Sequence, residues 1–258
     1  MMESDGLVSE FRGSNFGAWC AINSSFSAEL VAMLEFDFVV IDMQHGLVDY
    51  SSLTSMLQAI ENRKKMTIVR IPLGDFGLLQ RALDAGASGV IVPMVNSSHD
   101  AKLAVNSAKY PPIGQRSYGP IRSQFVSGAD TTKANALIKC FVQIETREAV
   151  NNLSEILSVQ GIDGTYIGPA DLAISYGIEI GERNEQLEEL ISEIRIATQN
   201  ANLQAAIHTT NGLSARQRLA ENFNFVSLGS DAIWLKNGYA REVAEALDKP
   251  YKQAFRFY

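Results

Sequence analysis

The sequence predicts an α/β fold, a closed (β/α)8 barrel of eight parallel strands, and three observations point to it. Eight short, β-rich apolar runs recur along the 258 residues, each is followed by an amphipathic stretch, and no glycine-rich phosphate turn follows the first. Near-continuously apolar strands need cover on both faces, and parallel strands need crossovers, which helices provide. The rival is an open, doubly wound sheet. That arrangement would usually bring glycines after its first strand, and Asn23-Ser24-Ser25-Phe26-Ser27 has none.

The first run, FGAWCAI at 16–22, precedes a helical segment at 28–36. FDFVVIDM at 36–43 leads to a helix at 50–63, MTIVRIP at 66–72 to one at 76–86, and GVIVPMV at 89–95 to one at 101–110. Residues 109–137 then break the rhythm as a proline- and glycine-containing insertion, of a length that marks functional or mobile loops. IKCFVQIE at 138–145 precedes a helix at 148–160, and GTYIGP at 164–169 precedes one at 184–202. QAAIHT at 204–209 leads to 214–223, and NFVSLG at 224–229 to the segment at 239–249. Neither a repeat nor a linker divides the chain, so residues 1–258 read as one barrel domain. The aromatic-rich tail at 251–258 is expected to dock on a neighbouring helix or subunit.

With 46% apolar and 20% charged residues, the composition is that of an ordinary globular protein. A net charge of -7 and a pI near 5.1 argue against a nucleic-acid partner or an anionic membrane surface, since either needs a basic face. The densest basic run, Arg63-Lys64-Lys65, falls at a helix end, where cations suit the dipole. The N-terminal stretch contains acids and no apolar core of signal-peptide length, and no later stretch reaches about 18 uncharged apolar residues. A cytoplasmic protein is expected. Cys20 and Cys140 both sit in apolar strand runs and read as buried free thiols.

In such a barrel the C-terminal strand ends converge on one mouth, so polar residues far apart in sequence meet there. Those ends carry Asp42, Gln44, His45, Arg70, Gln143, Glu145, Asp171, His208, Thr209, Thr210, Ser230 and Asp231. Glu145 and Asp171 follow adjacent strands and offer two hard oxygen donors, suited to a divalent cation that keeps water or substrate ligands. The alternative is that each caps the helix it precedes. Arg70 cannot shed its charge inside the barrel and needs an anionic partner, either a substrate oxo-acid or Asp42. His45 carries an imidazole, a group suited to proton transfer near neutrality, and lies three residues after a carboxylate that could fix its tautomer. His99 reads as a surface residue at a helix start, and His208 as a core histidine. Gly168-Pro169-Ala170-Asp171 brings backbone amides to the mouth, where a helix start can hold a carboxylate. No strand ends in a lysine, which argues against Schiff-base catalysis.

FDFVVIDMQHG (36–46), VRIPLGD (69–75), LDAGASGVIVPMV (83–95), YPPIGQRSYGP (110–120), FVQIETREAV (141–150) and GTYIGPADLAISYG (164–177) together resemble the HpcH/HpaI aldolase family, the metal-dependent class II pyruvate aldolases. The resemblance covers most of the chain in order and implies a barrel of the phosphoenolpyruvate/pyruvate type. It implies that Glu145 and Asp171 ligate Mg²⁺, Mn²⁺ or Co²⁺, that Arg70 steadies the enolate oxygen, and that His45 with Asp42 forms an acid–base dyad. It further implies that Gln143, Gly168, Pro169, Ala170 and Asp171 line the substrate, with the amides around Ala170 and Asp171 on the pyruvate carboxylate. Asp84 would reach an adjacent site in a homohexamer, with the last helix packed on a neighbouring barrel. The implied substrates are pyruvate or another 2-oxo acid plus an aldehyde. One departure is Asp42-Met43-Gln44-His45, where members near the sugar-acid aldolases often read Asp-Gly-Glu-His; it leaves the aldehyde partner and the proton route open. Two other readings stand beside this one. The first is a related metal-enolate enzyme, such as an oxaloacetate decarboxylase or an acyl-coenzyme A lyase; the second is a barrel that binds a 2-oxo acid without turning it over.

Overall fold

The computed structural model describes residues 15–126, 128–180 and 184–251. The N-terminal stretch and tail residues 252–258 lie outside them. In chain order the elements are β1 (Asn15–Cys20), α1 (Ser25–Ala32), β2 (Phe38–Asp42), α2 (Tyr50–Glu61), β3 (Met66–Arg70), α3 (Phe76–Asp84), β4 (Gly89–Val92) and α4 (Ser98–Ala108). Next come α5 (Ser123–Val126), α6 (Thr131–Leu137), β5 (Lys139–Ile144), α7 (Arg147–Asn151), α8 (Leu153–Leu157), β6 (Gly164–Ile167) and α9 (Pro169–Tyr176). The chain continues through α10 (Glu185–Asn200), β7 (Gln204–Thr209), α11 (Gly212–Ala220), β8 (Phe225–Leu228) and α12 (Asp231–Ala246). The strands pair in parallel in sequence order, and β8 returns to β1 to close the barrel. All eight expected strands are present. No helix among the described residues is long and apolar enough to cross a membrane.

Strand alternation divides each strand's side chains between two cores. Val39, Ile41, Val69, Val90, Cys140, Val142 and Ile207 face outward into the larger core beneath the helices. Trp19, Phe38, Val40, Ile68, Ile91, Phe141, Tyr166, Ala206 and Phe225 face inward and fill the barrel. Phe225 stacks edge-on against Phe38 and Phe141, with centroids 5.3 and 5.2 Å away. Gly17 makes room for this stack, since a Cβ there would lie 2.4 Å from the Phe38 ring. Followed two residues at a time toward the mouth, the same inward parity passes from filler to polar groups: Val40 to Asp42, Ile68 to Arg70, Phe141 to Gln143 and Glu145, Ala206 to His208.

The insertion at 109–137 is tethered and contains α5 and α6, two short helices that its composition concealed. Buried Lys109 donates to the carbonyls of Asn135 (2.9 Å) and Ile138 (2.5 Å) and to Asp163 (2.8 Å), at the starting ends of β5 and β6. Arg122 bonds the Ala85 carbonyl (2.7 Å) and pairs with Glu61. Both cysteines are buried free thiols. The last helix starts at Asp231, eight residues before the expected segment. Asp231 is buried there, accepting from the Ala21 amide (2.8 Å) and the Ser27 hydroxyl (2.9 Å), which pins β1 to α12. Farther along α12, Leu235, Tyr239, Val243 and Leu247 form an i, i+4 stripe that is 53–70% exposed.

Candidate active site

A cavity of about 560 Å³ opens at the C-terminal strand ends and is lined by Trp19, Asp42, His45, Arg70, Gln143 and Tyr166, by the 168–171 turn, and by His208. Strand parity and the loops after β2 and β6 therefore converge on one space. Among the described residues, no group of three or more His, Cys, Asp or Glu side chains is arranged to hold a metal ion. The donor set is smaller and built around two carboxylates.

Glu145 is 2% exposed. Its Oε1 accepts from the Met94 amide (2.7 Å) and its Oε2 from Gln143 Nε2 (2.5 Å). Met94 reaches that position with φ at 55°, in the left-handed region, so the turn after β4 is bent to aim an N–H at the carboxylate. Burial pushes the Glu145 pKa up to about 7, and the charge of Asp171 adds to the rise against the pull of the Met94 amide, Arg70 and Gln143. Glu145 caps no helix, whereas Asp171 sits in the first turn of α9, where its charge suits the helix dipole without a side-chain cap bond. The N-cap of α7 is Thr146, whose hydroxyl accepts from the Ala149 amide; the N-cap of α9 is Gly168, which has no side chain to cap with, and exposed Asp171 follows in the first turn. Gly168 is required by close approach, because a Cβ would lie 2.7 Å from both Glu145 Oε2 and Gln143 Nε2. Gln143 Oε1 is buried without a hydrogen-bond partner. A buried carboxylate held near neutrality, a second carboxylate beside it and an orphaned amide oxygen are hard donors that suit a divalent cation with an otherwise open shell.

Arg70 and Asp42 form a buried two-pronged pair, Nε to Oδ1 at 2.9 Å and Nη2 to Oδ2 at 2.6 Å. Asp42 also accepts from Trp19 Nε1 (3.2 Å) and from the amides of Gln44 (3.0 Å) and His45 (3.3 Å). Burial works to raise the Asp42 pKa, but the Arg70 bonds and charge, with the Gln44 amide and the indole, hold it below the ordinary carboxylate range. Arg70 Nη1 has no protein partner among the described residues, so the fork anchors on Asp42 and still offers a donor to the cavity.

One expectation is corrected. Asp42 does not orient the ring of His45. Its oxygens are taken by the Arg70 fork, the indole and two amides, so it meets His45 only through the main-chain N–H, and the exposed imidazole lines the mouth separately. Asp84, expected to serve an adjacent subunit's site, lies away from the chain's own cavity. It ends α3 and pairs with buried Arg116 at 2.5 Å.

His208, expected as a core residue, also lines the cavity. Its Nδ1 lies 2.9 Å from Ser227 Oγ and its ring meets Trp19 edge-on at 4.8 Å. Burial lowers its pKa to about 4, with Arg70 adding to the fall and Asp42 opposing it. NMR titration of the His208 ring is therefore expected to show a midpoint near 4, and a midpoint near the ordinary value of about 6.5 would contradict this placement. Since the unfolded ring takes its proton near about 6.5, the native state gains stability from this residue above that pH and loses it as pH falls toward 4. The signal that would have found His208 in sequence is its inward parity, shared with Asp42, Arg70 and Glu145.

The profile of the HpcH/HpaI aldolase/citrate lyase family matches residues 15–237. The chain belongs to that family. Among curated relatives it is 36% identical to a hydroxypyruvate/pyruvate aldolase of Rhizorhabdus wittichii, covering 88% of this chain and 92% of that one. It is 35% identical to a 4-hydroxy-2-oxo-heptane-1,7-dioate aldolase of Klebsiella pneumoniae, covering 90% and 87%. Among solved structures, a HpcH/HpaI aldolase/citrate lyase family protein from Burkholderia cenocepacia superposes with a TM-score of 0.82 at 27% identity, over 93% of this chain and 97% of that one. This family member is an aldolase, and the resemblance read from its ordered sequence blocks is borne out.

Proposed function

We propose that this aldolase is divalent-metal-dependent and cleaves or forms 4-hydroxy-2-oxo acids through a pyruvate enolate. The observation that carries the reading is that buried Glu145 feels the charge of Asp171, which lines the cavity with Arg70 at the start of a helix that no side chain caps. A bound Mg²⁺, Mn²⁺ or Co²⁺ would provide Lewis-acid stabilisation of charge on the keto oxygen. Glu145 and Asp171 are the residues to hold it.

The chain's own groups do the rest. The first-turn amides of Ala170 and Asp171, which no side chain caps, take the substrate carboxylate at the positive end of the helix. Arg70, fixed by Asp42, donates Nη1 to the developing enolate oxygen. In the cleavage direction the His45 ring removes the proton of the 4-hydroxyl; the C3–C4 bond breaks, the aldehyde leaves, and the bonding pair becomes the enolate, which takes a proton at C3 to give pyruvate. We place the chain in the cytoplasm as one barrel domain that assembles as a homohexamer. The two buried free thiols fit a reducing compartment, and the exposed apolar stripe of α12 fits packing on a neighbouring barrel.

Solvent deuterium entering the pyruvate methyl group, followed by proton NMR, tests the chemistry. Exchange is expected to stop after chelation, to return with Mn²⁺, and to fall by on the order of 100-fold or more in His45→Ala. Exchange that persists in fully chelated protein would defeat the metal-enolate reading.

A further inference from the structure

We infer that His208 is the residue that selects the nucleophile, donating Nε2–H to a hydroxyl on C3 of a 3-hydroxy-2-oxo acid. The inference rests on the metal-enolate reading above and names the substrate class for that site.

The case begins with an inner polar relay. Tyr166 is 1% exposed and Ser227 fully buried; their oxygens lie 2.5 Å apart, and Ser227 Oγ lies 2.9 Å from His208 Nδ1. Burial keeps Tyr166 a neutral phenol. A phenol donates more readily than an alcohol, so the Tyr166 hydroxyl donates to Ser227 Oγ, whose own proton goes to His208 Nδ1. That order fixes the tautomer with the ring proton on Nε2. Nε2 has no protein partner among the described residues, and the half-buried ring lines the cavity. With burial and Arg70 both disfavouring the imidazolium, what enters the cavity is a neutral N–H donor.

Location decides what it meets. The Arg70 guanidinium lies 4.8 Å from the centre of the Trp19 ring, and the His208 ring lies 4.8 Å from that same centre. Both groups border the same indole in one cavity, so a substrate held by its keto oxygen on Arg70 lies in the space that His208 also lines. The keto and carboxylate oxygens already have partners in Arg70, the 170–171 amides and the proposed cation site. Only C3 is left to satisfy Nε2–H. A methyl group there leaves a desolvated donor unpaired, whereas a hydroxyl satisfies it. Polar pockets discriminate strongly against analogues that lack the group they were built to bond.

Metal-dependent deuterium exchange at C3 of hydroxypyruvate and of pyruvate, measured side by side with Mn²⁺, tests this in the wild type, His208→Leu, His208→Asn and Tyr166→Phe. The wild type is expected to favour hydroxypyruvate by about 10-fold or more in kcat/KM. His208→Leu should erase that preference, mainly through the KM for hydroxypyruvate. His208→Asn, which keeps a donor, should recover part of it, and Tyr166→Phe, which loosens the tautomer, should reduce it. Mn²⁺ affinity reports that each variant keeps its fold. Exchange of both substrates at a ratio unchanged by His208→Leu overturns this inference and leaves the metal-enolate reading standing. Absence of exchange with either substrate in the wild type overturns both.

Discussion

Glu145→Gln is expected to lower metal-dependent kcat/KM by on the order of 1000-fold or more, about 4 kcal/mol of transition-state stabilisation, and to weaken Mn²⁺ binding in parallel. The substitution preserves shape and removes charge, so it separates a ligand role from a packing role. Both carboxylate oxygens face N–H donors, Met94 at one and Gln143 at the other. An introduced amide can offer an oxygen to only one of them and must set its own N–H against the other. Steady-state turnover across a Mn²⁺ titration, with calorimetric Mn²⁺ binding, checks the expectation; wild-type turnover in the variant would remove Glu145 from the ligand set.

The same carboxylate sets a pH dependence whose sign can be worked out. Its pKa is raised from 4.5 to about 7 in the metal-free fold, so the native state holds a proton that the unfolded chain has already released. This group therefore makes metal-free protein less stable as pH rises from 4.5 toward 7. A cation that neutralises the site removes the penalty and competes with that proton. Mn²⁺ should accordingly raise the melting temperature more at pH 8 than at pH 5.5, and binding near pH 6 should release a proton. Equal stabilisation at both pH values would contradict a site built on a buried carboxylate.

The barrel was legible because its signal repeats: eight strands buried on both faces must be apolar almost throughout, and composition alone exposes them. Glu145 and Asp171 were legible as positions but not as roles. An acid at a strand end followed by a helix reads equally well as a cap, and only the hydrogen bonds show that Thr146, not Glu145, caps α7 and that no side chain caps α9. Other parts of the site had no sequence signal of their own. Met94 contributes a main-chain N–H, a group that its side-chain identity does not announce, and Ser227 and Tyr166 sit among filler. His208 is the satisfied, packed histidine that its apolar strand suggests, bonded to Ser227 and against Trp19, and what the strand alone does not give is that its inward parity also brings it to the cavity wall with Arg70. The start of α12 was missed for a different reason. Ile233, Trp234 and Leu235 are consecutive rather than helically spaced, so the start is marked instead by the cap of Ser230 on Ile233 and by buried Asp231.

Asp42→Asn is expected to destabilise the protein by about 3–5 kcal/mol, because it strips the anionic partner from a guanidinium that stays buried. For a chain of this size that corresponds to a fall of roughly 6–20 °C in melting temperature. The near-isosteric amide does not rescue the site. All five contacts on the Asp42 carboxylate are N–H donors, two from Arg70 and one each from Trp19, Gln44 and His45. Whichever way the amide turns, its own N–H faces either the Nε and two backbone amides or the Nη2 and the indole. Turnover should fall by on the order of 100-fold, since Arg70 loses the anchor that directs Nη1 into the cavity. A double variant, Asp42→Asn with Arg70→Met, distinguishes the two effects. Removing the stranded charge should return part of the lost melting temperature, as replacement of both members of a buried pair often does, while turnover stays as low as in either single variant. If instead the double variant melts below Asp42→Asn alone, Arg70 stabilises the fold through contacts other than this pair, and Asp42 is not what holds it over the mouth.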